Sequence, residues 1–244
     1  MSTVAADRVL WVTGAGSGMG RAAAVAAAGS IGRVALSGRR PEPLAETARL
    51  VTEAGAQSLT LPLDARDPEA VGQAHQQIVA DWPDVSDVVL AAGANTPQRY
   101  WKDQSIAEFE RILATNLTAV VSLIDVVLPG LRARGGGQIV VVSSYSAWRF
   151  LPGAGVAYSA SKSALAEICA SLNAQEAGSG IRACHLCPGN VDTEFLNLRP
   201  QVPDAADREV MLSPDDVARA VLFVLNSPPH VRVDELVISP VSQA

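Results

Sequence analysis

Short runs of β-branched and aliphatic residues alternate with longer alanine- and leucine-rich stretches along almost the whole chain. The runs at residues 9–12, 33–36, 58–61, 87–90, 138–142, 182–186 and 235–238 have the length and continuity of strands buried on both faces. Between them, residues 19–28, 43–54, 68–80, 106–131, 157–176 and 214–225 read as helices. Strictly alternating strands and helices imply crossover connections, hence a parallel sheet covered on both sides. The pattern predicts seven strands in one doubly wound α/β sheet, and the 244 residues read as one domain, 1–244. Ser213-Pro214-Asp215-Asp216 supplies a cap, a first-turn proline and two acids where helix N–H groups lack partners. Residues 190–213, rich in proline and polar residues, form the only long irregular stretch expected and read as a lid on the substrate side.

Composition narrows the class. Hydrophobic residues make up 48% of the chain and aromatics only 5%, so the core must be aliphatic. The formal net charge is -6 and no basic stripe is visible, which argues against nucleic acid. No stretch of about 20 apolar residues and no basic-then-apolar leader is apparent, so no membrane partner and a cytoplasmic location are expected. The three cysteines, an odd number without framework spacing, suit free thiols. Cys184 and Cys187 are C-x-x-C spaced, but an odd separation on a strand points them to opposite faces and no second pair exists, so no metal site is expected. Asn116-Leu117-Thr118 matches a glycosylation acceptor at a position expected to be internal. His75 and His230 lie in polar or turn contexts without evident partners.

The chemistry begins after the first strand. Thr13-Gly14-Ala15-Gly16-Ser17-Gly18-Met19-Gly20 joins that strand to an alanine-rich helix. Glycines there permit a tight turn and close approach of backbone to a pyrophosphate, while the helix N-terminus offers free N–H donors, the Rossmann-like arrangement for a dinucleotide. At the end of the second strand stands Ser37-Gly38-Arg39-Arg40. An acid there would bind a ribose 2'-hydroxyl, whereas Arg39 can form a bidentate fork on a 2'-phosphate, so NADP(H) is favoured over NAD(H). As residues alone, Arg39 and Arg40 also fit an ordinary solvated turn. Tyr158 and Lys162, four apart, share one helix face. A phenol titrating near about 10 needs a neighbouring cation to serve as a base at neutral pH, and Lys162 is the expected source.

The T-G-x-x-x-G-x-G loop, the Tyr158-x-x-x-Lys162 pair and Pro188-Gly189-Asn190-Val191-Asp192-Thr193 together resemble the short-chain dehydrogenase/reductase family over nearly the whole chain. The resemblance implies cofactor contacts at Gly14, Ser17, Gly18, Met19, Gly20, Arg39, Asp64, Ala65, Ala92, Gly93, Tyr158, Lys162, Pro188, Gly189, Val191 and Thr193. It further implies a catalytic set of Asn116, Ser144, Tyr158 and Lys162. Ser144 is assigned allowing one extra loop residue, with Ser143 and Ser146 as alternatives. Ala91-Ala92-Gly93 departs from the family's Asn-Ala-Gly. The implied activity is hydride transfer between NAD(P) and a secondary alcohol or ketone, or an alcohol and aldehyde, with Tyr158 as acid/base. A catalytically silent NADP(H) sensor is the alternative.

The substrate region is expected to be lined by Tyr145, Trp148, Phe150 and Phe195, fitting a small-molecule carbonyl or alcohol with an apolar body. Residues 228–241 instead resemble the endings of NADP-dependent 3-hydroxy acid and serine dehydrogenases, pointing to small polar hydroxy acids, and these two indications conflict. Arg149 and Arg199 could bind a carboxylate. Relatives commonly form tetramers through the long helices 106–131 and 157–176, so a homo-oligomer, tetramer or dimer, is expected.

Overall fold

The computed structural model describes residues 5–243, with backbone only for Ala5 and Ala6. Seven parallel strands, β1 (Ala5–Thr13), β2 (Ile31–Gly38), β3 (Gln57–Pro62), β4 (Asp87–Leu90), β5 (Gly137–Val142), β6 (Ile181–Pro188) and β7 (Glu235–Ile238), form one sheet in the order β3-β2-β1-β4-β5-β6-β7. The helices are α1 (Gly18–Ala27), α2 (Pro41–Glu53), α3 (Pro68–Asp81), α4 (Ile106–Leu113), α5 (Ala119–Ala133), α6 (Tyr145–Trp148), α7 (Val156–Gln175), α8 (Ala205–Glu209) and α9 (Pro214–Leu225). This is the doubly wound Rossmann-like sheet that the alternation predicts.

Strand alternation divides the core. Leu10 and Val12 of β1 join Ala23, Ala24 and Ala27 of α1 and Val217, Val221 and Val224 of α9 on one face. Val9 and Trp11 point the other way, to Ile78 of α3, Leu123, Val127 and Leu131 of α5 and Leu165 of α7. The alanine-rich α1 lets the sheet and helix approach closely, which brings its N-terminus over the sheet's carboxyl edge. The strand order reverses between β1 and β4, and ligands of open α/β sheets bind in the crevice at such a point.

Helix starts are set by short polar caps. Asp67 accepts from the N–H groups of Glu69 and Ala70 at the start of α3, Ser105 from Glu108 at α4, and Ser213 with Asp216 closes a reciprocal capping box at α9. Ser17 before α1 makes no such bond and no acid occupies the first turn of α1.

Four expectations need correction. The helix expected over 106–131 is not regular: a π-helical segment, Ala114–Thr118, joins α4 to α5. The combined run Ile106–Ala133 is long and apolar enough by composition to cross a membrane, with a mean hydropathy of 1.9 over one window, contrary to the sequence reading. Its apolar side nonetheless packs on the sheet through Leu123, Val127 and Leu131, and Ile112 is fully buried. Residues 190–213 are not the only irregular stretch, since residues 91–105 between β4 and α4 also lack regular structure, whereas 190–213 contains a 3-10 turn, Glu194–Leu198, and α8. Lastly, His75 has a partner: its Nε2 lies 2.8 Å from Asp84 Oδ1, and its ring stacks on Trp11.

Candidate active site

Along the carboxyl edge of β1, β2, β4, β5 and β6 runs a cleft of about 1070 Å3. At one end, the turn after β1 takes left-handed backbone at Gly14 (φ 64°) and Gly18 (φ 52°). A Cβ on Gly14 would stand 2.8 Å from the backbone nitrogen of Ala92, and one on Gly20 only 2.3 Å from the carbonyl oxygen of Gly14. Backbone therefore packs on backbone, and no side chain fits at either position. Thr13 fastens this turn to β4, its Oγ1 accepting from the N–H groups of Ala91 and Ala92 at 3.2 and 3.3 Å.

Two residues with no recognisable sequence signal brace the loop from behind. Arg21 donates from Nη2 to the Gly16 carbonyl at 2.5 Å and from Nε to Thr47 Oγ1 at 3.0 Å, while Thr47 donates to the Ala15 carbonyl at 2.9 Å. Ser17, Gly18, Met19 and Gly20 line the cleft, and the N–H groups at the start of α1 lack a side-chain cap. Uncapped donors beside a glycine cradle too tight for any Cβ fit the pyrophosphate of a dinucleotide.

Beyond the end of β2, Arg39 is exposed and lines the cleft, whereas Arg40 lies 3.6 Å from Glu194 across the cleft mouth. Asp64 and Ala65 line the same end. Asp64 is engaged by Arg66 at 2.5 Å, which holds its carboxyl below the usual aspartate value. Ala92 and Gly93 form the floor. Pro188, Gly189, Val191 and Thr193 come over from β6, with Thr193 Cγ2 3.2 Å from where a Gly18 Cβ would be.

The other end is built by α7 and the turn after β5. Gly155 (φ 98°) precedes α7, and a Cβ there would meet Arg99 Cβ at 2.7 Å. Ser144 caps α6, accepting from Ser146 N–H at 3.2 Å and from Ser146 Oγ at 3.1 Å, and its hydroxyl lies near enough to Tyr158 to favour the phenolate. Ser143 turns inward and donates to the Lys162 carbonyl at 3.1 Å. The structure thus brings Ser144, not Ser143, to the tyrosine. Burial pushes the Tyr158 phenol above its ordinary value, while Ser144, Arg99 and Arg199 pull the other way.

Lys162, the cation expected beside Tyr158, is buried in the same part of the cleft. Its Nζ donates to the Val142 carbonyl at 2.8 Å and lies 5.9 Å from the Tyr158 ring centroid. Only 4% exposed, its ammonium is pushed down to about 8 by burial. Asn116 is fully buried in the π-helical segment and does not line the cleft. Its amide pairs with both the N–H and the carbonyl of Ala94, at 2.7 and 2.9 Å, and donates to Ser161 Oγ at 3.1 Å, tying residues 91–105 to α7.

Tyr145 and Phe195 line the cleft as expected, the Phe195 ring 5.9 Å from that of Tyr158. Trp148 and Phe150 do not. Arg149 is extended, and successive side chains of extended backbone point to opposite sides, so Leu151 faces the cleft while Phe150 is 82% exposed. Trp148 packs edge-on against Tyr145 beneath the Arg149 guanidinium, outside the cleft. Leu151 lies in the stretch between Ser144 and Gly155 expected to line the substrate region, whereas Arg99 and Asn95 line the cleft without any sequence signal. The three cysteines are buried free thiols, each pushed up to about 12 by burial. His185, Cys187 and Glu235 bring possible ligand atoms within 4.8 Å of one another. Cys187 Sγ, however, stands 3.4 and 3.7 Å from the two ring nitrogens of His185, over the ring face rather than in line with a lone pair.

The solved structures similar to this chain include an alcohol dehydrogenase from the archaeon Thermococcus sibiricus complexed with 5-hydroxy-NADP, with a TM-score of 0.85, 30% identity and coverage of 97% of this chain and 98% of that one. The closed form of a serine dehydrogenase complexed with NADP+ superposes with a TM-score of 0.87 at 28% identity, covering 97% and 96% of the two chains. Sulfoacetaldehyde reductase 2 of Chromohalobacter salexigens is 31% identical over 97% of this chain and 95% of its own. Glycine betaine reductase ATRR of Emericella nidulans is also 31% identical, over 96% of this chain, which spans only 19% of that much longer protein. The family model described as short chain dehydrogenase matches residues 8–202, from the first strand through the glycine turn and Tyr158 to the loop after β6, and the chain belongs to that family.

Proposed function

We propose that the protein is an NADP(H)-dependent oxidoreductase that interconverts a small-molecule carbonyl compound and its alcohol, with Tyr158 as acid/base. The observation that carries this reading is the placement of Tyr158 and Ser144 together in the same cleft as the uncapped glycine cradle. NADP(H), when bound, supplies or accepts the hydride. Gly14 and residues 17–20 hold the pyrophosphate, Arg39 takes the 2'-phosphate, and Asp64, Ala65, Ala92 and Gly93 flank the adenosine. Pro188, Gly189, Val191 and Thr193 hold the nicotinamide end. NAD(H) would use the same cradle but leave Arg39 without its anion. The solved relatives described with NADP+ or 5-hydroxy-NADP support NADP(H).

A phenol held above its ordinary value by burial is protonated at neutral pH, the form that donates to the oxygen of a carbonyl being reduced. Ser144 orients that oxygen, and Lys162 and Asn116 fix the frame around Tyr158. Residues 190–213 act as the lid, with Arg40 and Glu194 pairing across the mouth. The exposed sides of α5 and α7 serve a homo-oligomer. The direct test is absorbance at 340 nm with NADPH and NADH in turn against aldehydes, ketones and oxo acids. NADPH consumption faster than NADH consumption with at least one carbonyl class is expected, and equal or faster NADH consumption would overturn the cofactor assignment.

A further inference from the structure

Two arginines from separate loops line the same cleft as Tyr158. Arg99, 4% exposed, lies in the irregular segment 91–105, where its Nε donates to the Thr96 carbonyl at 2.7 Å and its Nη2 to the carbonyl of Leu198. Its own carbonyl accepts from Val156 N–H at 3.0 Å, and its Cβ packs on Gly155, so Arg99 is built into the N-terminus of the helix that carries Tyr158. Arg199 comes from the loop after the Glu194–Leu198 turn, and its Nη2 donates to the amide oxygen of Asn190 at 2.7 Å. Both line the cleft.

Every acceptor that the structure gives these two side chains is neutral, a backbone carbonyl or an amide. Neither has a carboxylate within ion-pair distance among the described residues, although Arg111, which also lines the cleft, is paired with Glu108. Burial and mutual repulsion both disfavour the Arg99 cation, and each arginine acts electrostatically on Tyr158. Desolvated like charges without a counter-ion are costly, and they are retained where something of opposite charge binds. Arginine's planar fork suits an oxyanion in particular.

We infer that the substrate carries an oxyanion, a carboxylate or group of like charge, which binds between Arg99 and Arg199 while its carbonyl or alcohol oxygen meets Tyr158. This inference deepens the proposed oxidoreductase function and rests on it for the position of the reacting oxygen. It also weights the polar of the two conflicting indications in the sequence. Trp148 and Phe150 lie outside the cleft, and the arginines beside Tyr158 give the reacting end a cationic character.

The test uses the holoenzyme with saturating NADPH and a series of oxo acids having one to three carbons between carbonyl and carboxylate, each beside its methyl ester. At least a tenfold higher kcat/KM for the best acid over its ester is expected, carried mainly by KM. In Arg199→Gln that ratio should fall at least tenfold, with partial recovery in Arg199→Lys. Arg99 braces two loops and its replacement risks the fold, so Arg199, with a single side-chain contact, carries the test. In parallel, calorimetry measures binding of the corresponding hydroxy acids to Tyr158→Phe loaded with NADP+, with and without Arg199→Gln. Turnover without preference for acid over ester, or a preference untouched by Arg199→Gln, overturns the anion site and leaves the oxidoreductase reading intact. Saturable hydroxy-acid binding that is lost with Arg199, without turnover of any carbonyl, supports the anion site and removes the oxidoreductase reading instead.

Discussion

The ammonium of Lys162 sits almost entirely out of water with one backbone carbonyl as its acceptor, and burial lowers it from 10.5 to about 8. At 1.36 kcal/mol per tenfold change in proton affinity, keeping that proton in the folded state costs about 3 kcal/mol at pH 7. Lys162→Met keeps most of the side chain's length and removes the charge. Losing the hydrogen bond to Val142 gives back about 1 kcal/mol, so the variant should be more stable by about 2 kcal/mol. For 244 residues, an unfolding entropy of about 0.5 kcal/mol/K turns this into a rise in Tm of about 4 °C. Between about pH 8 and pH 10.5 the folded protein has released this proton while the unfolded chain retains it. Wild-type stability therefore gains on the variant as pH rises through that window, and the difference is largest below pH 8. Thermal melts of both proteins at pH 7 and pH 10 measure this, and carbonyl reduction by the variant should fall at least about a hundredfold. A variant less stable than wild type at pH 7, or a Tm difference that does not change with pH, would refute the reasoning.

Gly14→Ala places a methyl group 2.8 Å from the Ala92 nitrogen in left-handed backbone. It should cost about 1–3 kcal/mol in urea unfolding and weaken NADPH binding at least tenfold by fluorescence titration. Arg39→Asp should invert the preference between NADPH and NADH in kcat/KM, because the substituted carboxylate repels a 2'-phosphate and accepts from a ribose hydroxyl. Phe150→Ser should leave substrate KM within about threefold of wild type, since the ring faces solvent outside the cleft.

The sheet was legible because each strand is a short apolar run and each helix a longer periodic one. All seven strands and five of the six expected helices stand where the pattern puts them, and the sixth, over 106–131, is α4 and α5 joined by a π-helical segment. The glycine turn and the Tyr158–Lys162 pair were legible for a related reason, since both depend on spacing within one local element. Contacts between segments distant in sequence were not. Arg99 meets Leu198 and Gly155 across 99 and 56 positions, and nothing in the residues around Asn95 and Thr96 announces that encounter. The π-helical segment around Asn116 is likewise invisible to a 3.6-residue pattern, because its extra residue is stabilised by the amide pairing with Ala94 rather than by helix propensity. Trp148 and Phe150 were misassigned because their apolar character outweighed the direction that an extended backbone gives them.

Tyr158→Phe removes one oxygen and leaves the cradle untouched, so it separates chemistry from cofactor binding. The deciding measurement is single-turnover oxidation of bound NADPH at 340 nm in wild type and Tyr158→Phe, with the best carbonyl substrate, beside NADPH affinity from fluorescence titration. A rate lower by about 10²–10⁴ in the variant, with affinity for NADPH within a few-fold of wild type, is the expected result. An unchanged rate would remove Tyr158 from the proton transfer and contradict the proposed mechanism.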